Sequence, residues 1–451
     1  MKNIEELEEQ LNSFDPDQRE SALKTLCSGD TLSDRAGPNL NMHFHSFFSY
    51  NAMGYSPSAI AWHARKAGLY AAGLCDFDVL DGLEEFINAG ITTGLRVTVN
   101  IETRAFFREY ADRDISSPGE PGVTYIMGAG FARHPEAGSP QAEELAGYRK
   151  RARERNIALV NRINAVFPDI AIDYEDNVLP LTPRQAATER HIISAYINRI
   201  KSVPGGASAA ADILCNILKK PSDEIVALMS DTPALEEALR AGLAKKGGAG
   251  YKQPSAETFP PVDDFVRWVL SCRAMPMVTW LDGTSEGEKD GKALLERMVD
   301  KGAAALNIIP DRNWNVSDPE KRRVKRENLR KIVEAAETMN LPINIGTEMN
   351  KLGLPFVDDM KGEVLSRYSD PFLRGAQIMV GHTRLLRYAD FSYVGPEADS
   401  EFRNTEEKNL FFENVGRIPP LNRSQADELL QKGPEKAFSW FAELEKNERT
   451  S

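Results

Sequence analysis

From Asn39 onward the chain alternates short apolar runs, too brief for helices, with longer stretches whose apolar residues recur every three or four positions. The first run starts at Asn39 and closes on Met42-His43-Phe44-His45, and others span 70–75, 96–101, 123–127, 276–281, 303–309 and 342–345. Each reads as a strand. Between them, Ser56-Pro57 opens a helix carrying Ile60, Ala64 and Ala67, because serine caps a helix start and proline fits its first turn. His63 shares that helix's apolar stripe and reads as structural. Leu80, Leu83, Phe86 and Ile87 mark a second helix, expected to stop at Gly90. The alternation predicts the α/β class, with parallel strands arranged as a distorted (β/α)7 TIM-like barrel.

Two stretches break the rhythm. Residues 1–37 carry Ile4, Leu7 and Leu11 at helical spacing, then Asp15-Pro16 at the head of a segment ending at Gly29, and form an N-terminal helical extension. Residues 140–260 are polar, alanine-rich and rich in Lys, Arg and Glu, the composition of a helical insertion. Seven strands result only when 38–139 and 261–451 are combined, so one barrel interrupted by the insertion is expected, with further helices at the C-terminal end.

The formal net charge of -12 gives no support for binding nucleic acid or an anionic membrane surface. The basic run KRRVKRENLRK at 321–331 lacks interleaved aromatics and reads as the solvated face of a helix. Cys27, Cys75, Cys215 and Cys272 lie far apart, without the spacing of a zinc knuckle or a disulfide framework. No apolar run approaches a membrane span, and MKNIEELEEQLNSF is acidic and helix-like rather than a basic-then-apolar leader. A cytoplasmic protein with no membrane span, acting on a small molecule, is expected.

The chemistry concentrates on few residues. Side chains two apart on a strand point the same way, so His43 and His45 can share one ion. Glu102 ends the third strand run and Glu348 follows the last, and in a barrel all four collect at the C-terminal rim, where such folds place their active sites. Two imidazoles and two carboxylates suit one divalent transition metal, zinc, manganese or iron, with a water whose pKa falls toward about 7. The competing reading is an ordinary pair of hydrogen-bonded polar histidines.

The strings NMHFHSFFSY, YSPSAIAWHARKAGLYAAGLCDFDVLDGLEEF and VTVNIETR resemble the opening motifs of the polymerase and histidinol phosphatase (PHP) superfamily, over residues 39–104, and the resemblance returns at LPINIGTEMN. It implies a distorted seven-stranded barrel, up to three metals and a phosphoesterase-like hydrolase. Several departures stand out: the family's Asp-His-Asp reads Asp76-Phe77-Asp78 here, later family histidines fall at Tyr125 and near Thr279-Trp280, and the final Asp-x-His reads Glu348-x-Asn350. What survives, His43, His45, Glu102 and Glu348, matches the ligand types of a single family metal position. The resemblance therefore implies a divergent member with a mononuclear site, with Phe77 and Tyr125 filling space that further ions occupy in relatives.

Secondary candidates are Asp76, as an acceptor orienting a ligand imidazole or else a cap, and His382, as a general acid or anion contact or else a packing residue at the opening of a helix. Arg104, Arg133, His134 and Lys351 could supply positive charge to an anionic substrate or else lie on the surface. Three functions stay open: a metal-dependent hydrolase of a small phosphoester; a mononuclear hydrolase or lyase on a carboxylate, sugar or amide; and a non-catalytic scaffold.

Overall fold

The computed structural model describes residues 3–29 and 37–448, so positions 1, 2 and 30–36 of the expected N-terminal extension lie outside the described residues. All seven apolar runs form strands: β1 (Leu40–Phe44), β2 (Ala71–Phe77), β3 (Arg96–Phe106), β4 (Val123–Ala129), β5 (Met275–Trp280), β6 (Ala305–Ile308) and β7 (Ile343–Ile345). They pair in chain order in one sheet. β1, β2 and β3 are parallel, as are β5, β6 and β7, but β4 runs antiparallel to both neighbours. This corrects the all-parallel expectation. The cause lies between β3 and β4, where residues 107–122 hold only the short turn Arg108–Tyr110 and supply no crossover helix of the kind a parallel pair requires.

The circle closes through a residue beyond β7. The Glu348 N–H donates to the His43 carbonyl at 2.8 Å, and the His45 N–H donates to the Glu348 carbonyl at 2.9 Å. Asn41 backs this seam: its side-chain Oδ1 accepts from the N–H groups of His43 (3.0 Å) and Thr347 (3.3 Å), and its Nδ2 donates to Thr347 Oγ1 (2.8 Å) and the Phe356 carbonyl (2.9 Å). Gly346 makes the approach possible, since a Cβ there would lie 2.5 Å from the His43 backbone nitrogen.

The helix after β1 spans Pro57–Lys66 with Ser56 as its cap. The next, Leu83–Thr93, runs past Gly90 and ends at Gly94, whose φ of 65° supplies the left-handed C-terminal turn. Gly90 stays inside because a side chain there would strike Val97 of β3. The long helix Ser369–Ala389 is buried for most of its length against the barrel and is covered in turn by Thr405–Arg417 and Pro434–Glu448.

Between β4 and β5 the helices Pro140–Val166, Glu189–Lys201, Gly206–Leu218, Ser222–Met229 and Thr232–Leu243 gather a separate apolar cluster around Ile163, Ile192, Tyr196 and Leu239. Pro140–Val166 links the two cores, since Tyr148 packs on Phe265 and Trp268 while Ile163 lies in the second cluster.

Gly346→Ala should destabilise the fold by about 1–3 kcal/mol, because the added methyl pushes β7 off the seam. Gly29→Ala, with nothing within 4 Å of its Cβ position, should stay within about 0.5 kcal/mol. Urea unfolding of both variants measures the contrast; equal effects would mean that the seam is not tightly closed.

Candidate metal centre

The pleat of β1 turns His43 and His45 to the same side, and a β-bulge against β2, between Asn41 and Phe44, adjusts their aim. Glu102 faces Phe77 across the β2–β3 ladder; β3 continues to Phe106, so this carboxylate lies within the strand rather than at its end. Glu348 enters from the closing seam with φ 63°, and Met349 follows at φ 53°. Such left-handed backbone costs a non-glycine residue about 1–3 kcal/mol. It turns the Glu348 side chain inward while the backbone still bonds to β1.

One ligand atom from each of His43, His45, Glu102 and Glu348 lies within 4.8 Å of every other, and all four residues are buried. Both imidazole Nε2 atoms stand 3.6 Å from Glu102 Oε2. Those three atoms are buried without any hydrogen-bond partner. A buried polar atom left unsatisfied costs about 1–3 kcal/mol, so three that converge call for one shared partner. A divalent cation, taking nitrogen and oxygen donors together, fits that set.

The far sides of both rings are held in the orientation a ligand needs. Ser49 donates its hydroxyl to Asp76 at 2.7 Å, which leaves the oxygen's lone pairs toward His45 Nδ1 at 3.2 Å. Asp76 is anchored further by the Ser46 N–H and hydroxyl, each at 2.7 Å. His43 Nδ1 stands 3.3 Å from Asn307 Oδ1, an oxygen that also accepts from Asn344 at 2.9 Å. Each Nδ1 therefore carries the proton and each Nε2 presents its lone pair. Burial, aided by the neighbouring His43, pushes His45 down to about 3, which keeps it neutral. Burial also works against the charge on Glu348, but Arg312, 2.9 Å away, and the two imidazoles outweigh it and hold that carboxylate at about 2. Burial opposes a charged His43 as well; there Cys75 and Glu102 prevail and raise it, so a proton and an ion compete for the same nitrogen.

Phe77 stacks on His45 with ring centroids 4.6 Å apart and an angle of 16°, and Tyr125 lies 6.1 Å beyond Phe77. Above them opens a cavity of about 750 Å3, with Glu102, Tyr125, Arg312 and Glu348 on the barrel side and the helices between β4 and β5 on the other.

Of the remaining sequence candidates, Arg104 lines this cavity, pairs with Glu120 at 3.1 Å and lies over the Phe259 ring. Arg133, His134 and Lys351 are not among its walls. The reversal of β4 explains the first two: its last residue, Ala129, pairs with Met275 at the start of β5, so the chain leaves β4 at the opposite end of the barrel. There Arg133 donates to the Leu386 carbonyl, and His134 is exposed. Lys351 points to solvent beside the cavity residue Asn350. His382 sits inside the helix Ser369–Ala389 rather than at its opening, against Gly130, with Nδ1 accepting from the Tyr393 N–H; it too is away from the cavity. Asp76 reaches the site only through Ser49. Sequence reasoning passed over Arg312, although its place just after β6 is a rim position, and also Ser49 and Asn307, whose roles depend on pairings that only the fold supplies.

No protein-family model matches the chain, and no curated protein sequence matches it significantly. Similar solved structures include a protein from Bifidobacterium adolescentis described as a candidate metal-dependent phosphoesterase, 18% identical over 73% of this chain and 96% of that one, with a TM-score of 0.45. Another is an amidohydrolase from Chromobacterium violaceum with bound sulfate and no metal, 15% identical over 74% of this chain and 96% of that one, with a TM-score of 0.47. At that degree of overlap neither molecule's chemistry transfers to this chain.

Asp76→Asn and Ser49→Ala should each lower affinity for zinc about 10–100-fold, because His45 loses the partner that fixes its tautomer. His43→Ala combined with His45→Ala should abolish binding. Competition against a chromophoric chelator reads both effects; unchanged affinity in Asp76→Asn, with loss in the double variant, would remove Asp76 from any positioning role.

Proposed function

We propose that the chain is a metal-dependent hydrolase of the PHP type, a divergent member with one divalent transition metal held by His43, His45, Glu102 and Glu348, acting on a small anionic substrate, in the first instance a phosphoester. The observation that carries this reading is the convergence of three buried, unpartnered ligand atoms in a group whose two carboxylates, Glu102 and Glu348, line a large cavity. When bound, the ion supplies Lewis acidity and lowers the pKa of a coordinated water toward about 7. The protein's own groups do the rest. Asn307 and the Ser49–Asp76 pair keep both imidazoles in the ligating tautomer. Arg312 neutralises Glu348 and, with Arg104, offers guanidinium donors to a substrate oxyanion. Phe77 and Tyr125 exclude water from the side of His45 and occupy the space that further ions take in the PHP superfamily.

That aromatic filling also favours a second reading. Phosphoesterases commonly clamp the attacking and leaving oxygens between two metals, and a single ion lacks this clamp. A hydrolase or lyase acting on a carboxylate, sugar or amide needs only one Lewis acid. A non-catalytic scaffold, the third reading, would have no need of ligand atoms left unpartnered beneath an open cavity. Among the described residues no helix is long and apolar enough to cross a membrane.

A panel of phosphomonoesters, nucleotides, lactones and amides, assayed with and without EDTA, should show turnover on at least one class that disappears with chelation and rises with pH between about 6 and 8. Phe77→His alone should not raise it. Chelator-insensitive turnover, or none on any class with the metal fully loaded, would favour the scaffold.

A further inference from the structure

The ligand group occupies one end of the cavity and leaves most of its wall unused. Eleven arginine and lysine side chains line the cavity against seven carboxylates, and nine of the eleven come from residues 149–252, leaving Arg104 and Arg312 as the barrel's own. The chain as a whole carries -12, so this excess of cations runs against the rest of the molecule. Cations crowded in a concave site repel one another and focus the field on whatever anion enters.

The densest part is a nest around one carboxylate. Arg240, on the helix Thr232–Leu243, places Nε 2.6 Å from Glu189 Oε1, and Lys245, just past that helix, places Nζ 3.1 Å from the same oxygen. Arg104 adds its charge from β3, so the nest joins the barrel to the insertion. Burial works against the charge on Glu189, yet Lys245, Arg240 and Arg104 outweigh it and hold the carboxylate at about 2. Arg240 and Lys245 hold a single oxyanion supplied by the chain itself, while Arg104, ion-paired with Glu120 at 3.1 Å, adds its charge from across the cavity. All four residues line the cavity that also holds Glu102 and Glu348.

We propose that Arg104, Arg240 and Lys245 form a second anion-binding subsite, which takes the non-reacting phosphoryl or carboxylate group of a substrate bearing two anionic ends, and that Glu189 is its resident counter-ion, competing with that group. The placement of the reacting end rests on the proposed metal centre; the binding of an anion to the nest does not. Without an anion, Glu189 keeps the cations from repelling each other. With one, the carboxylate gives up its donors to the incoming oxygens, and recognition depends on residues of the insertion rather than of the barrel.

Isothermal titration of the full-length, EDTA-treated protein at low ionic strength, with inorganic phosphate and with malonate, separates this subsite from the metal. Saturable binding of at least one of them is expected, and the stronger of the two names the oxyanion class. Arg240→Gln with Lys245→Gln should weaken it about tenfold or more, since a charge-assisted contact is lost at each position. Glu189→Gln should tighten it several-fold by removing the competing carboxylate. His43→Ala with His45→Ala should leave it unchanged. Should the double glutamine variant fail to fold, Lys245→Gln alone reads the same contact. No saturable binding, binding indifferent to the glutamine variants, Glu189→Gln that fails to tighten it, or loss in the histidine variant would each overturn the proposal, and none of these bears on chelator-sensitive turnover.

Discussion

Glu348 binds the fold and the candidate centre together. Its N–H and carbonyl bridge His43 and His45, which closes the barrel, and its carboxylate joins the imidazoles of those same two residues. A residue after β7 can do both only by adopting the left-handed backbone seen at φ 63°, with Gly346 leaving room for the seam. Strain of that kind persists where the surroundings over-determine it, here two backbone hydrogen bonds and an ion pair with Arg312. Shape and chemistry are therefore coupled: whatever loosens the β7–β1 seam also spreads the ligand group.

The barrel interior is built to serve that coupling. It contains Asn41, Asn100, Asn307 and Asn344, all buried, where an apolar filling would be the simpler way to stabilise a core. Asn41 staples the seam; Asn100 and Asn344 both donate to the Met42 carbonyl; Asn307 faces the His43 ring. Amides in these places satisfy backbone groups that the bulge in β1 leaves without ladder partners, and they fix the imidazole that an apolar residue would leave free to rotate. The asymmetry of β4 extends the arrangement. By reversing direction it brings Tyr125, near its start, to the rim beside Arg104, and sends the chain out at the far end, from which the insertion returns to wall the cavity.

Much of this was legible in the residues. The seven strands and the helix cap at Ser56 follow from local pattern, and the His-x-His spacing with two acidic residues near strand ends was enough to bring the four candidate ligands together. Strand direction was not read correctly, because period-two alternation is the same either way; the missing helix between 101 and 123 was the available signal. Arg133 and His134 were misplaced as a consequence, since both follow the far end of β4, and His382 because its helix starts at Ser369, well before it. Arg240, Lys245 and Glu189 could not be found at all, because a helical insertion offers no strand end from which to reckon, and only packing brings its residues to face the barrel.

Diffraction from crystals of protein purified without chelator, recorded on both sides of the absorption edge of the metal present, tests the central claim most directly. One anomalous peak is expected per chain, within bonding distance of His43 Nε2, His45 Nε2 and a carboxylate oxygen of both Glu102 and Glu348. Two or three peaks, a peak elsewhere, or an empty group in protein supplied with excess metal would contradict the mononuclear centre.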